Sequence, residues 1–425
     1  MVEVLHRSTG GRPHVGFITE SFVDGAGNLV EGGAERHLLN LATVAGGLGA
    51  DVTVYQRGPR RWQGTCEGIR VVAQPAPLRV LGRTLARRAA AEGCTHLHFQ
   101  YLERVPWGLS GRHVTATSHG IYWDIPYVDE HRQWYPGERV GALALPVWRF
   151  RQRSRCLLAV GRCDRVLGTD TSLLRLVQTH RPALRQRVEV VMNFTDLVEH
   201  PTFDADDPSG DPAIRPLVEA RREGHTVVLV PRNLSFVRGG AWLCDIVERT
   251  ALALRSGKEC HFFFTGVAVD VYGDAVRYRR LFQHQLDAMS REARRCIHLL
   301  GGLPHESMGS AYRASDMALI PTFAFESTSL AALEAMGTGI PVVATNIGGL
   351  NDVIQHGITG LLVPPDPQAL AEAVAHLAGD ADLRARLGGE GRRVVAGAFT
   401  REHWRDRAET FARRAGWAAD RAPVR

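Results

Sequence analysis

The sequence predicts an α/β chain of two domains built on parallel sheets, and three observations carry that expectation. Its 425 residues exceed what one domain usually holds, at roughly 100–200 residues per domain. Short apolar runs alternate with segments of helical spacing, the pattern of βαβ units. Residues 201–216, with their Asp, Pro, Ser and Gly, form the clearest linker signal and divide the chain near its middle. The expected division is a tail at 1–12, a first domain at 13–200, a linker at 201–221, a second domain at 222–400 and a final helix within 401–425.

In the first half, His14-Val15-Gly16-Phe17-Ile18-Thr19 reads as a strand. A long loop leads to Glu31-Gly32-Gly33-Ala34-Glu35-Arg36, after which Leu38, Leu39, Leu41, Ala42 and Ala45 keep helical spacing. Val52-Thr53-Val54-Tyr55 is the next strand. This turn lacks the Gly-x-Gly-x-x-Gly pattern, so NAD is not expected. A plain tight turn is the lesser alternative to a ligand loop. Further strands fall at Ile69-Arg70-Val71-Val72, Thr95-His96-Leu97-His98-Phe99 and Val114-Thr115-Ala116-Thr117. The last runs into Ser118-His119-Gly120, and His119 at a strand's carboxyl end is either a site residue or a structural histidine.

Arg149, Arg151, Arg153 and Arg155 make a basic cluster beside Trp148, Leu157 and Leu158. It reads first as a solvated helix face, and second as a peripheral membrane contact. Asp204-Ala205-Asp206 has Asp-x-Asp form but lies in the linker, so no metal site is expected there.

The second half opens with the strand Thr226-Val227-Val228-Leu229-Val230, then Arg232, Arg238 and Gly239-Gly240 before a helix. His261-Phe262-Phe263-Phe264 and Ile297-His298-Leu299 are strands, with a surface helix within 270–290 between them. Met317-Ala318-Leu319-Ile320 leads through Phe325-Glu326-Ser327 into a helix that Thr328 or Ser329 could cap. Gly337, Gly339 and Pro341 end it, and residues 340–345 form the next buried strand. This βαβ turn sits where open α/β sheets bind ligands, with a helix N-terminus suited to an anion. Glu334, set among apolar neighbours, needs a partner, and ribose hydroxyls would serve.

Composition limits the function classes. Charged residues at 23% and apolar residues at 44% suit a soluble globular protein. No run reaches the ~18 apolar residues of a membrane span, and no signal-peptide core is visible. Seven scattered cysteines without Cys-x-x-Cys read as reduced thiols, so a cytoplasmic protein is expected. The net charge of +6 is nearly all arginine, Lys258 being the only lysine. With no nucleic-acid motif, anionic sugar nucleotides or an anionic membrane face suit that charge better.

Glu326 and Glu334, followed by Ala335-Met336, Gly339 and Pro341-Val342-Val343-Ala344, resemble the Glu-x7-Glu signature of retaining glycosyltransferases of family 4. The resemblance covers most of residues 14–415, more strongly in the second half. It implies the GT-B architecture, two Rossmann-like doubly wound parallel-sheet domains facing each other across a cleft, with the last helix packed on the first domain. It implies transfer of a sugar from a nucleotide-sugar, UDP- or GDP-linked, to a hydroxyl of a small-molecule, glycan or lipid-linked acceptor. Nucleic acid is not an expected partner. Retention by front-side attack and no metal or other cofactor are expected.

By resemblance, Glu326 contacts the donor sugar, Glu334 the ribose, and Arg232 with Arg238 grip the diphosphate. Backbone and hydroxyl groups of Thr328, Ser329 and Leu330 face the phosphates, as does the turn at Gly33. His119 orients a sugar hydroxyl or steadies charge, while Leu303 and His305 hold the base. Three departures stand out: Arg238 replaces a lysine one residue further on, Thr328-Ser329 replace Phe-Gly, and Phe194 replaces the glycine in Asn193-Phe194-Thr195-Asp196. A sugar-nucleotide epimerase or hydrolase of the same shape, or a non-catalytic binding protein, are the alternatives. Acceptor determinants are expected in the first-domain loops around 20–31 and 121–139, the latter with Trp123, Tyr127, Trp134 and Tyr135.

Overall fold

The computed structural model describes residues 12–30, 32–109, 111–121, 145–199, 212–254, 259–266, 275–323 and 326–419. The aromatic loop carrying Trp123, Tyr127, Trp134 and Tyr135, the Asp204-x-Asp206 segment and Phe325 lie outside the described residues. The described residues fall into two compact units. One combines the chain up to His119 with Arg151–Val191 and the residues from Trp404 onward. The other is Met192–His403 with the described part of 120–150. Residues 192–199 thus group with the second unit, and helix Arg215–Arg222 occupies the end of the interval read as linker.

Unit 1 is an eight-stranded sheet with strands β1 His14–Ile18, β2 Asp51–Arg57, β3 Trp62–Cys66, β4 Ile69–Gln74, β5 His96–Phe99, β6 His113–Ser118, β7 Arg165–Gly168 and β8 Val188–Val190. Their order is β3-β4-β2-β1-β5-β6-β7-β8, parallel throughout except the β3–β4 pair. Two-sided burial explains why β1 reads as a nearly unbroken apolar run, while β5, His96-Leu97-His98-Phe99, is buried along its whole length although histidines alternate with its apolar residues. Phe17, Val54, Leu97 and Phe99 are fully buried between covering helices. Each such side chain contributes roughly 1.5–3 kcal/mol on leaving water. From the C-terminal segment, Trp404, Phe411 and Trp417 are buried in this unit, Trp417 lying 5.4 Å from Phe17 and 5.2 Å from His98 between ring centres.

Unit 2 is a six-stranded, all-parallel sheet: β9 Thr226–Val230, β10 Cys260–Phe264, β11 Ile297–Leu299, β12 Met317–Ile320, β13 Val342–Thr345 and β14 Gly360–Val363. The order β11-β10-β9-β12-β13-β14 reverses between β9 and β12. That is the doubly wound dinucleotide-fold order, and its switch point falls at the carboxyl ends of β9 and β12, where open α/β sheets bind their ligands. The predicted surface helix appears as Ala275–Ala288, and helix Leu330–Thr338 follows β12. The expected fold class, an α/β chain of two doubly wound parallel sheets, is the one observed. No helix among the described residues is long and apolar enough to cross a membrane.

Candidate functional site

In unit 2 the chain leaves β9 as Pro231-Arg232 and leaves β12 as Pro321-Thr322-Phe323, so strand order alone brings the two loops together. Gly239, at φ 86°, closes the first loop where a Cβ would collide with the Pro321 carbonyl. Gly348, at φ 52°, lies against the Glu326 carbonyl in the same way, and Gly349 N–H donates to that oxygen at 2.7 Å. Glycine is required at both positions because backbone meets backbone.

Within this frame Arg232 and Glu326 form a two-pronged ion pair. Arg232 Nη1 donates to Glu326 Oε1 at 2.9 Å and Nη2 to Oε2. Their side chains are only 7% and 13% exposed. Burial alone would raise the Glu326 pKa, but Arg232, with help from Arg238 and Ser329, outweighs it and holds the carboxyl below its usual range. Of the two cations expected to grip a diphosphate, Arg232 is thus paired with Glu326 in this structure. Both terminal nitrogens of Arg232 already serve Glu326, and only Arg238 of the two is exposed. Ser235 Oγ and Arg232 Nε are buried with no partner among the described residues.

Ser329, not Thr328, is the N-cap of helix Leu330–Thr338, its hydroxyl accepting from Ala332 N–H at 3.4 Å. The Ser329 hydroxyl also lies 3.4 Å from Arg232 Nη1. Thr328 and Ser329 are 2% and 1% exposed. Both hydroxyls are therefore buried in this structure. Leu330 opens the helix half-buried. Glu334 has a protein partner that sequence reasoning missed: Tyr312 OH donates to Glu334 Oε2 at 2.9 Å. Asn193 was also missed as a site residue, and its amide donates to the Thr328 carbonyl at 3.0 Å. Phe194, in the place of the family's glycine, lies 5.1 Å beneath the Arg401 guanidinium. Leu303 is partly buried against the apolar cluster around Leu229 and Phe263. His305 begins helix His305–Arg313, and its side chain lies outside the described residues.

Unit 1 builds a different constellation at its own switch point, between β1 and β5. Gly33 is the first residue of helix Gly33–Gly47, behind the extended Gly32. Gln100, just past β5, is buried and donates its amide to Ala34 O at 2.6 Å and to His119 Nε2 at 2.9 Å. Ala34 O can only accept, which sets the amide's orientation and leaves His119 Nε2 as an acceptor. The His119 proton therefore sits on Nδ1. His37 and Tyr101 flank this ring at 5.3 and 5.5 Å. Burial, with His37 adding to it, pushes the His119 pKa down to about 3, so the ring is neutral at pH 7. Gln100 carried no sequence signal; only the sheet order places it between the glycine turn and His119.

Residues 225–380, just over a third of the chain, match the sequence profile of the family described as glycosyl transferases group 1. The D-inositol 3-phosphate glycosyltransferase of Corynebacterium urealyticum is 47% identical over 91 residues, 21% of this chain and 21% of that protein. Its counterpart from Corynebacterium glutamicum is 38% identical over 108 residues, 25% of each. The chain thus spans about a fifth to a quarter of the length of these curated relatives. Among solved structures, sucrose-phosphate synthase from Thermosynechococcus elongatus aligns with TM-score 0.69 and 20% identity over 95% of this chain and 98% of that one. HepE from Anabaena, in complex with UDP and glucose, aligns with TM-score 0.66 and 18% identity over 94% and 99%. At such identity the likeness speaks to fold: the chain has the GT-B fold class of these structures.

Proposed function

We propose that this chain is a glycosyltransferase that moves a sugar from a nucleotide-sugar to an acceptor hydroxyl, with retention of configuration and without a metal. The observation that carries the reading is the switch point of unit 2, where the ionised Glu326, clamped by Arg232, stands beside Arg238 and the amino end of helix Leu330–Thr338. Breaking a glycosyl–diphosphate bond loads negative charge on the leaving phosphate as the sugar turns oxocarbenium-like. Arg238 and the helix N–H groups receive that charge, and Arg232 holds Glu326 toward the donor sugar's hydroxyls. Glu334, oriented by Tyr312, takes the ribose. In unit 1, His119 donates from Nδ1 to a substrate oxygen and Gly33 opens the helix after the phosphate-facing turn; in unit 2, Leu303 packs on the base.

A UDP- or GDP-sugar is the proposed donor, and a small-molecule, glycan or lipid-linked hydroxyl the acceptor. We place the reaction in the cytoplasm, with peripheral membrane contact through helix Leu145–Arg162, where Val147 and Phe150 are exposed beside its arginines. Sedimentation with anionic vesicles tests that contact. The reaction itself is tested by incubating the EDTA-treated protein with a donor panel and acceptor mixtures, then reading the product's anomeric proton coupling by NMR. Retained configuration and undiminished rate in EDTA are expected. An inverted product, a strict Mn²⁺ requirement, or donor turnover without acceptor would each overturn the corresponding part.

A further inference from the structure

A second group of titratable side chains lies at the opposite, amino edge of the unit 2 sheet. His225 directly precedes β9, Glu259 directly precedes β10, and His261 is the second residue of β10. The β9–β10 register pairs Val227 with His261, so the two-residue period of the strands puts all three side chains on one face. One ligand atom from each lies within 4.8 Å of the other two. His261 Nε2 and Glu259 Oε2 are 3.4 Å apart. That separation is about the edge of a tetrahedron whose ligands sit roughly 2.0–2.1 Å from a zinc ion.

The ring behind them supplies what a metal-bound imidazole ordinarily has. His261 Nδ1 lies 2.9 Å from His298 Nε2, and His298 is itself held flat on Phe263 at 4.3 Å. A proton on His261 Nδ1, donated to His298 Nε2, leaves the Nε2 lone pair of His261 aimed at the carboxylate. Outer hydrogen bonds of this kind fix the tautomer of ligating histidines. Two contacts oppose a bound ion. Arg295 pairs with Glu259 but is 60% exposed and can swing into water. His225 stacks on His261 at 4.2 Å and 17°, with its Nε2 3.5 Å from Glu223, so it must tilt for its lone pair to meet the ion.

We propose that His225, Glu259 and His261 form a binding site for Zn²⁺ or a similar first-row divalent ion, with His298 as the positioning residue. Two imidazoles and one carboxylate suit such an ion, and water completes the shell. The site ties the starts of β9 and β10 together. It lies at the other end of the strands from Arg232 and Glu326, so its effect is on stability and not on the transfer step.

The test is Zn²⁺ titration of the chelator-stripped full chain by calorimetry, with melting temperature read in parallel. Saturable binding that raises the melting temperature is expected. His225→Ala and Glu259→Gln, both at partly exposed positions, should each weaken it at least tenfold. His298→Ala should weaken it roughly 10-fold or more, the effect of losing an outer partner. Arg295→Ala removes the competing cation and should tighten binding several-fold. If the full chain binds no Zn²⁺, if binding is unchanged in His225→Ala and Glu259→Gln, or if Arg295→Ala weakens it, the proposal is overturned.

Discussion

Unit 1 lines the carboxyl edge of its sheet with neutral rings and an amide, whereas unit 2 lines the same edge with paired charges. In unit 1, His119 accepts from Gln100 at that edge, while His98, inside β5 and fully buried, is held between Thr115 and Thr117 at 2.9 and 3.0 Å. Burial drives both ring pKa values down, so neither carries charge at pH 7. In unit 2, Arg232 and Glu326 are buried as ions, and each is tolerable only because of the other. Both sheets reverse strand order at the loops concerned, so topology is shared while electrostatics differ. The difference teaches that one fold can present either a hydrogen-bonding surface or a field, depending on which side chains leave the strands.

Breaking the charged side should have the largest effect. Glu326→Ala strands the Arg232 guanidinium in a buried setting, with an expected stability loss of about 3–5 kcal/mol in urea unfolding. Activity should fall roughly 10²–10³-fold. The double variant Arg232→Met with Glu326→Leu should recover much of the stability and none of the activity. A single variant as stable as the parent would show that the pair is not coupled.

Acid should separate the two regions next. His119 titrates at about 3 and His96 at about 4 in the fold, against an ordinary 6.5. Between those values the unfolded chain binds protons that the folded chain does not, so stability drops as pH falls below 6.5. Glu326 has the opposite kind of group: its depressed carboxyl pKa contributes stability above the ordinary carboxylate range, lost only as pH falls through the folded value. Hydrogen exchange should therefore show residues 96–119 losing protection between pH 6.5 and 4.5, ahead of residues 326–338. Equal loss in both segments would erase the contrast.

Gln100→Leu sharpens the neutral side. Losing a hydrogen bond worth about 1 kcal/mol, together with the tautomer it sets, should lower kcat roughly tenfold. The ¹⁵N shifts of His119 should then report a mixture of tautomers, where a purely structural role would leave the tautomer unchanged. Tyr312→Phe should have the smallest effect: one hydrogen bond to Glu334 is lost, and donor KM should rise a few-fold with kcat nearly unchanged.

Much of unit 2 was legible in the residue order. The run from Met317 through β13, the glycine stop at Gly339 and the capping position before Leu330 are all local signals, and each appears where expected. The partners were not legible. Arg232 and Glu326 lie 94 residues apart, Tyr312 and Glu334 22 apart, and Gln100 stands 66 from Ala34. Nothing in the residue order shows that the Glu326 carboxylate holds Arg232. Nor does anything local say that the hydroxyls of Thr328 and Ser329 are buried. The histidine–glutamate cluster was equally hidden, its members spread over two strand starts.

By itself, the amino-acid sequence determined most strands of the two sheets, where the helix after β12 starts and stops, and that β12 runs into an acidic loop; it did not mark strand Trp62–Cys66 or helix Leu81–Ala91. Those outcomes depend on period, caps and turn residues, which act over a few neighbours. Only the tertiary structure decided which charge meets which, which tautomer His119 carries and which glutamate is already bound. Strand order alone lays the loops after β9 and β12 side by side, and a buried ion takes whatever counter-charge that order delivers.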